Sequence, residues 1–257
     1  MTSVFLKRIP SGLVFFAFLF FSFWLMFHTF SYDAKTNSMM IATKAWSDFG
    51  SHIPLVRSFS MGDNLNRLAR GQAPVYPLFP GEPIRYHFLF YAVVGLLEKL
   101  GLRIDWALNA PSALGFFFLV VMIWKLAKEL FKDARVAFLS VIFFLFNGSL
   151  SFVNFFLQHP LSWNTPMDIA TNSRFPSFGP WDGNLISAFW NLNVYTNQRH
   201  LAASFALIIA TLLVIPGLTR NDNFLRGILT AILYSVLLFT NQAAAAIAAL
   251  FLFWFFL

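Results

Sequence analysis

Asp48 and His52 stand four residues apart in Lys44-Ala-Trp-Ser-Asp48-Phe-Gly-Ser-His52-Ile-Pro54. On a helix that spacing puts both side chains on one face, one turn apart. A carboxylate beside an imidazole can serve as a general base with a helper, or as two ligands of a divalent metal. The same pair also fits a bland role, an acid that caps or pairs with a cation and a histidine that only hydrogen-bonds. Further along, Pro74, Pro77, Pro80 and Pro83 recur every third residue, which suits an extended polyproline strap. Such a strap would either lie across the surface or hold Glu82, Arg85 and Tyr86 at a site. Arg199 and His200 adjoin the start of a long apolar run, where a guanidinium can hold a lipid phosphate or simply reach to the headgroups.

The elements that must position these residues are apolar. Of 257 residues, 58% are hydrophobic, 35 are Phe, and only 11% are charged, against about 25% charged in a soluble domain. Lipid must therefore be part of the solvent. The net charge of +7 suits cytoplasmic anchoring residues better than nucleic-acid binding. The absence of cysteine excludes disulfides and thiolate chemistry. No Walker loop, dinucleotide fingerprint, His-Glu-x-x-His helix or nucleophile elbow is present.

The expected fold is an all-α polytopic bundle forming one membrane domain. Six runs are read as spans, at about 11–30, 106–124, 136–157, 201–219, 225–240 and 243–257. The last two are one uncharged stretch, about 46 Å long as a single helix, so Asn241-Gln242 is taken as a turn between two spans. The stretch stops at Leu257 without a flanking charge, so the chain is expected to be truncated. Residues 86–100 are too few to span and read as an interfacial amphipathic helix. His87, Tyr91 and Glu98 share one side, opposite Phe88, Leu89, Val93, Leu96 and Leu100. Laid flat, this helix leaves Lys7, Arg8, Lys125, Lys128, Lys132, Arg135, Arg220 and Arg226 on one side. That side is expected to be cytoplasmic, in a plasma (inner) membrane, with the N-terminus inside. Loops 31–105 and 158–200 then lie outside. Loops of such length are usually functional. The second is rich in Asn, Asp and aromatics, among them Asn164, Asp168, Trp181, Asp182, Trp190, Asn191 and Tyr195, and also carries Arg174; these suit either sugar recognition or an interfacial aromatic belt.

This order of elements resembles the polyprenol-dependent glycosyltransferases of the GT-C superfamily, such as protein mannosyltransferases and aminoarabinose transferases. Asp48 stands where that family has an acid early in the first outer loop. Pro83-Ile-Arg-Tyr-His-Phe-Leu-Phe-Tyr91 resembles its surface helix. Leu108-Asn-Ala-Pro-Ser-Ala-Leu-Gly115 is similar to the opening of its second span, and Lys125-Leu-Ala-Lys-Glu-Leu-Phe-Lys-Asp-Ala-Arg135 to the basic turn that follows. The likeness covers about residues 1–220. Phe49 follows Asp48 where many mannosyltransferases have a second acid. The resemblance implies a polyprenyl-phosphate sugar donor, a glycan, lipid or protein acceptor, and membrane lipid as surroundings. Asp48 would be the general base, with His52 and His87 assisting or binding phosphate. Arg57, Arg85 and Arg199 would meet the leaving phosphate. Two other functions remain open: a transporter or flippase of lipid-linked sugars, and a noncatalytic membrane assembly subunit.

Overall fold

The computed structural model describes residues 11–42, 46–172, 188–215 and 223–257. Lys7, Arg8, Lys44, Arg174, Trp181, Asp182 and Arg220 lie outside them. The chain is mostly helical. Helix α1 (Ser11–Thr29) is followed by a hairpin of β1 (Phe30–Asp33) and β2 (Ser38–Ile41). Then come α2 (Trp46–Ser60), α3 (Asn64–Ala69), α4 (Leu89–Lys99), α5 (Ile104–Phe131), α6 (Ala134–Leu145), α7 (Phe152–Gln158) and α8 (Thr165–Thr171). The described chain closes with α9 (Trp190–Asn197), α10 (Leu201–Val214), α11 (Asn223–Thr240) and α12 (Gln242–Phe256).

The hairpin corrects the all-α expectation. Its turn chemistry is plain in hindsight. The Asp33 carboxylate accepts from the Lys35 N–H and the Thr36 hydroxyl, and Asn37 takes a left-handed φ of 50°. Asp and Asn are the side chains that support such a turn.

Among the described residues two helices are long and apolar enough to cross a membrane, α1 and α5, or three if α9 and α10 count as one bent span. Only 28% of the Gly12–Thr29 window is buried within the protein. Phe16, Phe20, Phe118 and Phe143 are left bare, a surface that suits hydrocarbon rather than water. Among the described residues α6, α11 and α12 are apolar helices that fall short of that length. The expected third span breaks into α6 and α7 at Asn147-Gly148, where Gly148 has a φ of 144°. The break is repaired by α9. Trp190 N–H donates to the Asn147 carbonyl at 2.9 Å, and the Asn191 amide to the Phe144 carbonyl at 2.6 Å. The fourth run begins after a 109° bend between α9 and α10. The division at Asn241 holds: its side chain caps α12 by accepting from Ala244 N–H.

α5 is the central post and packs against α1, α6 and α10. Gly115 lets α10 approach it, since an added Cβ would meet Ala203 at 3.1 Å. A second core (Phe49, Leu55, Val56, Phe59, Tyr91, Val94, Leu108) joins α2 and α4 to the start of α5. Its tightest point is Gly95, where an added Cβ would fall 2.5 Å from the Phe59 Cβ. α4 has the expected two-sidedness. Tyr91 is buried, Glu98 is nearly so, and Val93, Leu96 and Leu100 stay exposed.

Candidate functional site

α2 is fixed to α4 by Glu98, which pairs with Arg57 at 3.0 Å and accepts from the Ser60 hydroxyl at 2.6 Å. This turns Ser51, His52 and Leu55 toward the segment from residue 74 to residue 86. That segment is not the extended strap expected from its prolines. It doubles back, with Tyr76 N–H to the Glu82 carbonyl at 2.9 Å and Ile84 N–H to the Pro74 carbonyl at 2.8 Å. Gly81, with a φ of 94°, permits the reversal. Asn64 holds the folded segment through both Val75 backbone groups, at 2.8 Å each.

Between α2 and this folded segment lies a cavity of about 510 Å³. Ser51, His52 and Leu55 form one wall, and Tyr76, Phe79 and Tyr86 supply aromatic faces. Glu82 and Arg85 stand at the rim, 3.3 Å apart and largely exposed. An exposed pair of this kind holds together weakly, so Arg85 can turn to another anion at little cost. Gln198, at the α9–α10 bend, completes the lining. Flat aromatic faces with amide, hydroxyl and carboxylate groups suit a polyhydroxylated ligand.

Behind the cavity lies a buried polar chain. His87 Nε2 is 2.8 Å from His200 Nε2, and His200 Nδ1 is 3.0 Å from the Tyr91 hydroxyl. Tyr86 lies over His87, and His52 packs its ring on Tyr91. Burial, and then the Arg199 charge, pushes His52 down to about 4. Burial, and then His52, pushes His87 down to about 4. Both are neutral at pH 7. Burial also raises the Tyr91 phenol, so it stays protonated. His52 Nδ1 is buried without a hydrogen-bond partner among the described residues.

The structure separates the remaining expected residues. Asp48 is half-buried one turn before His52. It does not line the cavity; burial is the main cause that raises the Tyr86 and Tyr91 hydroxyls, and the Asp48 charge adds a smaller push to both. Arg57 is turned about 140° around α2 from His52 and is taken by Glu98. Arg199 does not line the cavity either. It is fully buried, and its five N–H groups meet the Thr196 carbonyl, the Met26 sulfur and carbonyl, the Asn109 amide oxygen and the Thr29 hydroxyl. It sits at the C-terminal ends of α1 and α9, where the helix dipoles favour a cation, and it ties those helices to α5. His87 and His200 are likewise inside rather than at the cavity surface.

From the second loop only Gln198 reaches the cavity among the described residues; Asn191 serves the α6 break and Tyr195 is in the core. Tyr76, Phe79, Ser51 and Gln198 were not singled out as site residues. The three-residue spacing of Tyr76 and Phe79 between prolines was the available signal for that pair. Among the described residues no group of three or more His, Asp or Glu is arranged to hold a metal ion. Comparison with known proteins finds no matching family model, no matching curated protein and no matching solved structure.

Proposed function

We propose that the chain is a membrane-embedded glycosyltransferase that takes a sugar from a polyprenyl-phosphate donor on the outer face of the membrane. The observation that carries this reading is the cavity: aromatic faces, neutral hydrogen-bonding groups and one re-pairable arginine, set beside helices that suit lipid. The sugar would lie against Tyr76, Phe79 and Tyr86, with its hydroxyls hydrogen-bonded by Ser51 and Gln198. Asp48, one helical turn from His52 and outside the cavity lining, would take the proton of the acceptor hydroxyl through one bridging water as the hydroxyl oxygen attacks the anomeric carbon. The bond from that carbon to the phosphate oxygen breaks, and the phosphate leaves with the electron pair. Arg85 would meet the charge that develops there. A single displacement of this kind inverts the anomeric configuration.

The test is reconstitution of the full chain in vesicles with a panel of polyprenyl-phosphate hexoses and pentoses and a mixed pool of hydroxyl acceptors. Wild type should release polyprenyl phosphate from one donor, and Asp48→Asn should cut the rate by about a hundredfold or more without changing expression or insertion. Unchanged transfer by Asp48→Asn would remove Asp48 as the base. The bend between α9 and α10 favours a second reading, a carrier of lipid-linked sugars, because carriers place their sites at broken helices. Movement of the labelled donor between leaflets with no transfer product would establish that reading instead.

A further inference from the structure

A second recess, of about 620 Å³, lies at the far end of α5, where it faces the end of α10. Lys125, Lys128 and Lys132 line one side of it. Lys125 and Lys128 fall within about 60° of one another around the helix, and Lys132 follows as its left-handed cap. Glu129 is the acid of the lining, and Lys132 takes it. Lys125 and Lys128 are exposed and have no ion pair among the described residues. One lysine in the last turn is enough to answer the carbonyl end of a helix, and Lys128 already stands there. Lys125 lies deeper along α5 and needs another explanation. The opposite side is apolar: Leu126, Leu130, Leu212 and Leu213. Leucine cannot solvate a small ion, but it can cover the start of an acyl chain.

We infer that this recess is a binding site for an anionic phospholipid, with the headgroup phosphate between Lys125 and Lys128 and the acyl chains against the leucines. The chemistry is that of basic pockets between membrane helices. It is independent of the transfer reaction, which is placed at the other end of α5.

Native mass spectrometry of the full chain in detergent, titrated with phosphatidylglycerol or phosphatidylcholine, provides the test. Phosphatidylglycerol should bind more tightly, and Lys125→Gln with Lys128→Gln should weaken it about thirtyfold. Lys35→Gln with Arg70→Gln, the same loss of charge elsewhere, should leave the preference intact. Salt at about 1 M, with a screening length of about 3 Å, should abolish it in wild type. Equal binding of the two lipids, or a preference that survives in the Lys125/Lys128 variant, would overturn the site. Displacement of the lipid by millimolar inorganic phosphate would show that the recess takes free phosphate rather than a lipid.

Discussion

Arg199 and Arg85 show two ways of treating the same side chain. Arg199 is sealed among α1, α5 and α9, and every N–H it has is used by a neighbour. Arg85 stands at the cavity rim, 81% exposed, with a single loose carboxylate contact. The histidines divide in the same way. His200 is hydrogen-bonded on both ring nitrogens, while His52 lines the cavity and its buried Nδ1 has no partner among the described residues. Saturated polar groups hold helices together, whereas spare hydrogen-bonding capacity beside a cavity is what a ligand can use. This contrast separates the site from the scaffold better than residue type does, since arginine and histidine occur in both.

The largest effect should come from the saturated side. Arg199→Met keeps the bulk but strands the Asn109 oxygen and the Thr196 carbonyl at the end of α9. Each buried group left unpaired costs about 1–3 kcal/mol, so a loss of at least about 2 kcal/mol is expected, measured as thermal unfolding in detergent. A wild-type melting temperature would show that the clamp carries no stability. Arg85→Gln, by contrast, should unfold like wild type and lose donor turnover.

Gly95→Leu comes next. It drives a side chain into Phe59 and the Val56 carbonyl at the α2–α4 crossing, and overpacking of this sort costs about 1–3 kcal/mol. It should also deform the His52 wall, so donor binding should weaken more than in Gly115→Ala, which presses on α10 at the other packing seam. Equal effects on binding would mean that the α2–α4 crossing does not shape the cavity.

The smallest effect is a pH dependence. His52 and His87 have folded values near 4, below the ordinary 6.5. The unfolded chain therefore binds more protons between those values. Stability is complete above about 6.5 and is lost as pH falls toward 4. Replacing both with Gln should reduce the slope of the unfolding midpoints across that window, the buried His200 keeping part of it. An unchanged slope in the double variant would assign it to groups other than His52 and His87.

Some of this was legible along the chain. The uncharged Phe-rich runs located α1 and α5, because a helix facing lipid must be apolar all round and long. The amphipathic pattern located α4, and Asn241 marked the start of α12, because an amide that caps a helix acts over three residues. Asp48 and His52 do share a helix face, since that depends only on local geometry.

What local pattern could not reveal was partnership across distance. An apolar run from 136 to 157 looks continuous until α9 supplies donors for the carbonyls of a broken α6. Prolines at every third residue suggest an extended strap until Asn64, far back in the chain, clasps Val75 and the segment folds over. Arg57 and Arg199 look like phosphate ligands until Glu98 takes one and three helices take the other. The sequence by itself determined which helices are apolar enough to meet lipid, because hydropathy is a property of each residue. Only the tertiary structure decided which polar groups were already spent and which were left facing a cavity, because hydrogen bonding is a property of pairs.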